Sequence, residues 1–334
     1  MQNFISTENW TQAELQQVLD VATELKQNPL RDDLKGKSIA LLFLNPSLRT
    51  RTSFEIGMQQ LGGIAVVLQP GKDAWGIEFK PNVVMDGEAE EHIIEVAGVL
   101  SSFCDMIAIR AFPVFKDWEV DRQDLLIKSV AEHASVPVIN METIVHPCQE
   151  LALMQSLQEH FGSVKNKKVV VTWAWHPKPL NTAVANSAVL ITTKFGMDVT
   201  LLCPDEKYLL GSQYLEASKQ YAQDNGGSFT ISHDIESAYT DADVIYAKSW
   251  GSLDFYGRPE EEMTYRQQYK HFTVDEKKMA LTNNAVFSHC LPLRRNIQAT
   301  DGVMDADYCL ALKEAGNRLH VQKAMMLKLA QNLK

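Results

Sequence analysis

The stretch Phe43–Glu55 reads F-L-N-P-S-L-R-T-R-T-S-F-E and sets two arginines among several hydroxyls. An apolar run, Ile39–Leu44, leads into it, Pro46 and Ser47 interrupt that run, and a helical pattern follows down to Leu61. A strand, a sharp turn and a helix start make an anion site in α/β proteins. The N–H groups of the first helical turn point outward, and the helix dipole favours negative charge there. Ser47, Thr50 and Thr52 add hydroxyl donors, and Arg49 and Arg51 add permanently charged planar forks suited to phosphate. A serine-capped turn with two solvated arginines is the plainer alternative. Against it, helix starts ordinarily favour acids, so two arginines flanking a threonine exceed what capping requires.

Further groups recur at the ends of apolar runs. Arg110 closes Met106–Arg110, and His146-Pro147-Cys148-Gln149 follows the run Val136–Asn140. Lys248-Ser249-Trp250-Gly251 follows Val244–Ala247, and Cys290-Leu291 follows Val286–His289. Ligands of open α/β sheets sit beyond the carboxyl ends of the strands, so these residues are expected in one layer. Guanidinium, imidazole, amide and hydroxyl donors in such a layer suit an anion.

The elements that must position these groups alternate along the chain. Thr11–Lys26 is predicted as an amphipathic helix with a Thr11/Glu14 capping box. Strand Ser38–Leu44, the anion-binding helix, Gly62-Gly63 and strand Ile64–Leu68 make a parallel right-handed unit. The long segment Gln69–Gly87 breaks the alternation, and its Trp75 is either a core plug or a cover for a ligand or a neighbouring subunit. Helices follow at Glu88–Phe103, with acids in its first turn, and at Gln123–His133. Pro147 suits a first helical position, and the helix continues through Glu150–Phe161. From Lys168 the pattern restarts: strands Lys168–Trp173, Asp198–Cys203, Val244–Ala247 and Val286–His289, with helices Thr182–Phe195, Glu206–Asp224 and Asp234–Ala242. A last helix is predicted over Glu314–Leu333. The expected fold class is α/β, with two doubly wound parallel-sheet domains: 1–145, on which the C-terminal helix 314–334 packs back, and 146–313.

The chain has 334 residues, 45% hydrophobic and 22% charged, with a formal net charge of -10. That acidity argues against nucleic acid or an anionic membrane as partner, and any anionic substrate needs a local cation cluster. No apolar run approaches the roughly 20 residues of a membrane span. No signal-peptide pattern opens the chain, and five dispersed cysteines without C-x-x-C spacing fit a reducing cytoplasm. The first strand of the second half lacks G-x-G-x-x-G, which gives a dinucleotide little support. No cofactor and no metal are expected.

Taken in order, S-L-R-T-R-T-S-F, the strand-terminal Arg110, H-P-C-Q and H-C-L-P-L-R-R resemble the aspartate/ornithine carbamoyltransferases over essentially the whole chain. The resemblance implies a carbamoyltransferase of arginine biosynthesis, assembled as a homotrimer with shared sites. Ser47, Leu48, Arg49 and Thr50 would bind the phosphate of carbamoyl phosphate, joined by Trp75 from a neighbouring subunit and by Arg318. Arg110, His146 and Gln149 would hold the carbamoyl group, with Pro147 and Cys148 also among the substrate-binding residues and Arg110, His146 and Thr50 as the catalytic donors. Cys290 and Leu291 would lie against the substrate, Leu291 through its backbone carbonyl. Glu142 and Lys248 would bind the acceptor, Lys248 through its α-carboxylate, and Asn181 would line the same pocket.

Ornithine-specific members carry S-T-R-T-R and an S-M-G loop for a free α-amino group, whereas this chain has Leu48 and K-S-W-G. An acylated amine carries no charge, so the implied acceptor is N2-acetyl-L-ornithine. Glu90 stands at the position where acetyl-specific members carry glutamate and succinyl-specific ones proline, and its carboxylate would repel a succinyl carboxylate. N-succinylornithine and ornithine are the alternative acceptors, and an inactive anion-binding paralogue is the alternative from another class. Gln298 departs from close relatives, which carry a lysine that can be carboxylated; a glutamine cannot form that carbamate.

Overall fold

The structure is a computed structural model that describes residues 2–331. It divides into two compact units. One comprises the described residues of Met1–Val114, Glu119–Cys148 and Arg318–Lys334, and the other Phe115–Trp118 and Gln149–Asn317.

The first unit opens with α1 (Gln12–Gln27). Thr11 and Glu14 form the expected capping box, and Leu15, Val18, Leu19, Ala22 and Leu25 are its buried face. Strand β1 (Ser38–Phe43) runs into α2 (Arg49–Gln60), and β2 (Ile64–Leu68) returns parallel to β1. Gly62, at φ +81°, makes the left-handed turn after α2, donating its N–H to Gln59 O at 3.0 Å. The long segment that follows is not structureless. Its β3 (Ile77–Glu78) pairs in parallel with β4 (Glu91–His92). That pairing moves the start of α3 to Ile93, with His92 as its cap. Glu88, Glu90 and Glu91 therefore lie before the helix rather than in its first turn, which holds Glu95 instead.

Strands β5 (Met106–Arg110) and β6 (Val138–Glu142) complete a wholly parallel sheet of order β2-β1-β5-β6. The ladder of β6 starts later than the apolar run at Val136, because Pro137 has no N–H to donate. Between β5 and β6 lie the short α4 (Trp118–Asp121) and α5 (Leu125–His133). The core of this unit joins Ala40 and Leu42 of β1, Ile107 and Ile109 of β5 and Val138 of β6 to Ile93 and Ala97 of α3 and to Ile127 and Val130 of α5.

Helix α6 (Pro147–Phe161) has Pro147 as its first residue. The second unit holds a five-stranded parallel sheet of order β11-β10-β7-β8-β9. Its strands are β7 (Lys168–Trp173), β8 (Asp198–Leu202), β9 (Ser228–Ser232), β10 (Val244–Lys248) and β11 (Val286–Ser288). Strand β9 was not expected; it reads S-F-T-I-S and is a largely exposed edge, so its apolar signal is weak. Every residue of α7 (Ala183–Lys194) is buried. The helix predicted over Glu206–Asp224 is instead a 3-10 turn, capped by Asp205, and a separate α8 (Ser212–Asn225). After α9 (Ile235–Tyr239), the segment from Lys248 to β11 folds as α10 (Pro259–Tyr265), a 3-10 stretch and α11 (Glu276–Met279), where no elements were expected. Helix α12 (Asp301–Met304) precedes α13 (Ala311–Ala330). The predicted end of the last helix at Leu333 lies outside the described residues. No helix among the described residues is long and apolar enough to cross a membrane.

Candidate active site

In the first unit the carboxyl ends of β1, β5 and β6 meet. Phe43 lies opposite Arg110, and Leu44 N donates to Arg110 O at 3.0 Å. The register of β5 against β6 slips once, between Ile109 and Arg110, so that Ile109 faces Asn140 while Arg110 faces Glu142 and Met141 is skipped. Paired residues in a sheet point to the same face, so this irregularity turns Glu142, rather than Met141, toward Arg110. Arg110 Nη1 accordingly donates to Glu142 Oε2 in a buried ion pair. His146 Nε2 lies 3.5 Å from the same carboxylate oxygen. Arg110 also stacks over Phe112, with Cζ 4.6 Å from the ring centroid.

The turn into α2 supplies the hydroxyls. Ser47 Oγ accepts the Thr50 N–H at 3.1 Å, so the serine caps the helix. Thr50 is 2% exposed, whereas Leu48 beside it is 76% exposed. Arg51 departs from the expected anion role. It points along the helix surface, where Nε lies 3.2 Å from Glu55 Oε2, one turn on.

A third guanidinium arrives from α13. Helices α2 and α13 approach closely at Gly57, where a Cβ would stand 3.1 Å from Lys323 Cγ. Lys323 Nζ fastens the pair by donating to Pro29 O at 2.5 Å and Gln60 Oε1 at 3.0 Å. This packing lets Arg318 Nη2 donate to Thr50 Oγ1 at 3.1 Å. Burial pushes the Arg318 guanidinium below its ordinary pKa. Cys148 and Glu142 oppose that shift, while Arg110 and Arg49 reinforce it. Three guanidiniums thus share one electrostatic neighbourhood with the Glu142 carboxylate. An arginine does not deprotonate in a protein, so guanidiniums clustered in this way suit an anion.

The second unit carries the other expected residues. Gln149, in the first turn of α6, donates its Nε2 to buried Glu314, which also accepts from Tyr246 Oη at 3.1 Å and from Ser288 Oγ. Half-buried Lys248 ends β10, and its carbonyl accepts from Ala174 N at 3.0 Å. After β11, Leu291 sits at φ +51° before a cis Leu291–Pro292 bond, and its N–H donates to His289 Nδ1 at 2.9 Å. Gln298, 2% exposed, ties three segments together. Its Nε2 donates to Ser249 Oγ at 2.9 Å and lies 3.1 Å from His289 Nε2, and its Oε1 accepts from Arg294 N at 2.9 Å. Asn181 Oδ1 accepts from Ala183 N at 3.2 Å, which employs it at the start of α7.

Two features of this unit were not singled out in the sequence. Arg266, fully buried, donates to Trp250 O at 3.1 Å and pairs with Glu262 at 3.2 Å, and Glu262 in turn accepts from Ser252 N at 3.0 Å. This pair grips the K-S-W-G loop from behind. His176 is held below its ordinary pKa by burial, with Arg294, Arg266 and Lys248 adding to the effect. A carboxylate would be welcome among those cations. The signal in the sequence was W-H-P-K, a histidine just after a strand.

Trp75 is 67% exposed on the segment after β2, which rules out a core plug, and Glu90 lies just before β4. All five cysteines are free, and no group of acidic, histidine or cysteine residues suited to a metal occurs among the described residues.

Residues 2–159 match the carbamoyl-phosphate-binding domain model of the aspartate/ornithine carbamoyltransferases, and residues 164–329 match the Asp/Orn-binding domain model. An N-acetylornithine carbamoyltransferase of Xanthomonas axonopodis pv. citri (strain 306) is 61% identical over 332 residues, covering 99% of this chain and 97% of that protein. A crystal structure of acetylornithine transcarbamylase complexed with acetylcitrulline superposes with a TM-score of 0.98 at 61% identity, covering 98% of this chain and 99% of the other. A point mutant of N-acetyl-L-ornithine transcarbamylase, complexed with carbamyl phosphate and N-succinyl-L-norvaline, also has a TM-score of 0.98 at 61% identity, covering 98% of this chain and 100% of the other. The two parallel sheets, the ordered motifs and these full-length matches lead to one conclusion: the chain belongs to the aspartate/ornithine carbamoyltransferase family.

Proposed function

We propose that this protein transfers the carbamoyl group of carbamoyl phosphate to the δ-amine of N2-acetyl-L-ornithine, giving N-acetyl-L-citrulline and phosphate in arginine biosynthesis. The observation that carries this reading is the clustering of guanidinium at Thr50, at the N-terminus of α2, where Arg318 bonds its hydroxyl and Arg49 and Arg110 act on Arg318 as like charges. Ser47, Leu48, Arg49, Thr50 and Arg318 bind the phosphate, and Arg110, His146 and Gln149 hold the carbamoyl group. The neutral amine attacks the carbamoyl carbon, and the carbonyl electrons move onto oxygen. Arg110, His146 and Thr50 stabilise that oxyanion, a role worth about 3–4 kcal/mol per donor. The C–O bond to phosphate then breaks, and phosphate leaves with the electron pair and takes the amine proton. Positioning and fixed charge supply the acceleration.

The acceptor is held by Glu142 and by Lys248, which pairs with its α-carboxylate, while the Leu291 carbonyl orients the amine. Cationic surroundings at His176 support a carboxylate beside Lys248. The working assembly is a cytoplasmic homotrimer in which exposed Trp75 reaches a neighbouring subunit's site. Glu90 disfavours a succinyl group by charge repulsion.

The test is colorimetric detection of a ureido product from carbamoyl phosphate with N-acetylornithine, N-succinylornithine and ornithine side by side. Preference for N-acetylornithine is expected, and Glu90→Pro should move it toward N-succinylornithine. Turnover of ornithine alone would overturn the acceptor assignment, and no turnover with any acceptor would overturn the activity.

A further inference from the structure

Thr143–His146 leaves β6 and delivers His146 to the start of α6, directly after Glu142. This segment is held from the side by a chain of hydrogen bonds. Asn140 Nδ2 donates to Ile5 O at 2.9 Å and to Thr143 Oγ1 at 2.8 Å, and Thr143 Oγ1 donates to Asp124 Oδ2 at 2.6 Å. The Ile144 N–H is bonded to the same carboxylate. Asn140 and Thr143 are 0% and 1% exposed, so the bond between them is made away from water.

Asp124 is an unusual anchor. It occupies the cap position of α5, where an aspartate ordinarily adopts extended backbone and accepts from its own helix. Here it takes the left-handed conformation, φ 51° and ψ 45°, and makes no side-chain bond to that helix. Aspartate and asparagine tolerate this region better than other residues with a side chain, yet it still costs energy. The side chain has been turned from a local cap toward the segment that carries Glu142 and His146.

We propose that Asp124, acting through Thr143, is a positioning residue that sets the reach of His146 toward the carbamoyl group and of Glu142 toward the acceptor. The inference rests on the carbamoyl-transfer reading above. The phosphate-holding residues Ser47, Arg49, Thr50 and Arg318 sit at the start of α2 and on α13, outside this chain of bonds. Loosening Thr143 therefore weakens the His146 donor that acts on the developing oxyanion, while phosphate affinity stays.

The experiment measures kcat and KM for carbamoyl phosphate in the wild type, Thr143→Val and Thr143→Ser, with calorimetric binding of inorganic phosphate. Thr143→Val is expected to lose about tenfold or more in kcat with phosphate affinity changed less than about twofold, and Thr143→Ser to restore kcat. If Thr143→Val does not fold, Asp124→Ala takes its place, and Asp124→Asn, which keeps an acceptor and tolerates the backbone, is the rescue. An unchanged kcat in the folded variant would overturn the inference, as would a parallel fall in kcat and phosphate affinity. A wild type that turns over nothing would instead break the carbamoyl-transfer reading.

Discussion

At the carboxyl end of the first sheet, Arg318 feels Arg49 and Arg110 as like charges and Glu142 as an opposite one, whereas behind the strand ends of the second sheet Arg266 is matched by Glu262 and Glu314 is covered by an amide and two hydroxyls. Like charges held together in a buried place are costly and are tolerated where an anion is to be received. The second region spends its polar groups on one another, which fixes loop geometry: Arg266 holds Trp250, and Gln298 holds Ser249 and the backbone of Arg294. Clustered like charge suits a phosphate, and internally paired polar groups suit the holding of shape.

The strongest way to break this contrast is Arg49→Ala. It should lower kcat/KM by about 1000-fold or more and abolish phosphate binding in calorimetry, with the thermal midpoint nearly unchanged. Near-normal turnover would deny that the clustered guanidiniums have a function. The reverse behaviour is expected of Glu262→Ala, which leaves Arg266 buried without its partner. Denaturant unfolding should report a loss of about 3–5 kcal/mol, because an uncompensated buried charge is left behind. Gln298→Ala sharpens the contrast at smaller scale. Removing its amide leaves the Arg294 N–H without its acceptor, costs about 1–3 kcal/mol, and should raise KM for the acceptor while sparing phosphate affinity.

The smallest effect concerns Asp124, whose carboxyl is pushed up to about 6, chiefly by burial, with Asp121 adding to the rise and Thr143, Lys128 and the Ile144 N–H opposing it. The folded protein therefore keeps a proton that the unfolded chain has already released above about pH 4. The stability linked to that proton is present below the unfolded pKa and is lost as pH rises through about 6. Asp124→Asn removes the titration. Its stability relative to the wild type, read from denaturant unfolding, should rise between pH 5 and pH 7 by an amount on the order of 1–2 kcal/mol. A difference that is flat with pH would deny the buried titration.

Much of the candidate anion site was legible because it is local. Pro46 and Ser47 break an apolar run just before a helical pattern, and that order dictates strand, turn and helix whatever packs around them. Strands β2, β5 and β7 likewise have the expected bounds, since each is a continuous apolar run, although only β5 and β7 are buried and β2 is a partly exposed edge. The start of α3 was misjudged because pairing between β3 and β4, remote in sequence, overrode the local preference of acids for a helix start. Arg51 has the same chemistry as Arg49 on paper, and only the turn of the helix separates a surface pair from a site residue.

The sequence alone determined which chemical groups this protein owns and in what order the strands present them. Residue type, breaks and apolar periodicity are properties of short segments. The tertiary structure decided the partners: the register slip that turns Glu142 toward Arg110 and the α2–α13 contact that brings Arg318 to Thr50. Those choices depend on residues up to 268 positions apart, as in the Arg318–Thr50 bond. No short window contains both members, so only packing of the whole unit selects them.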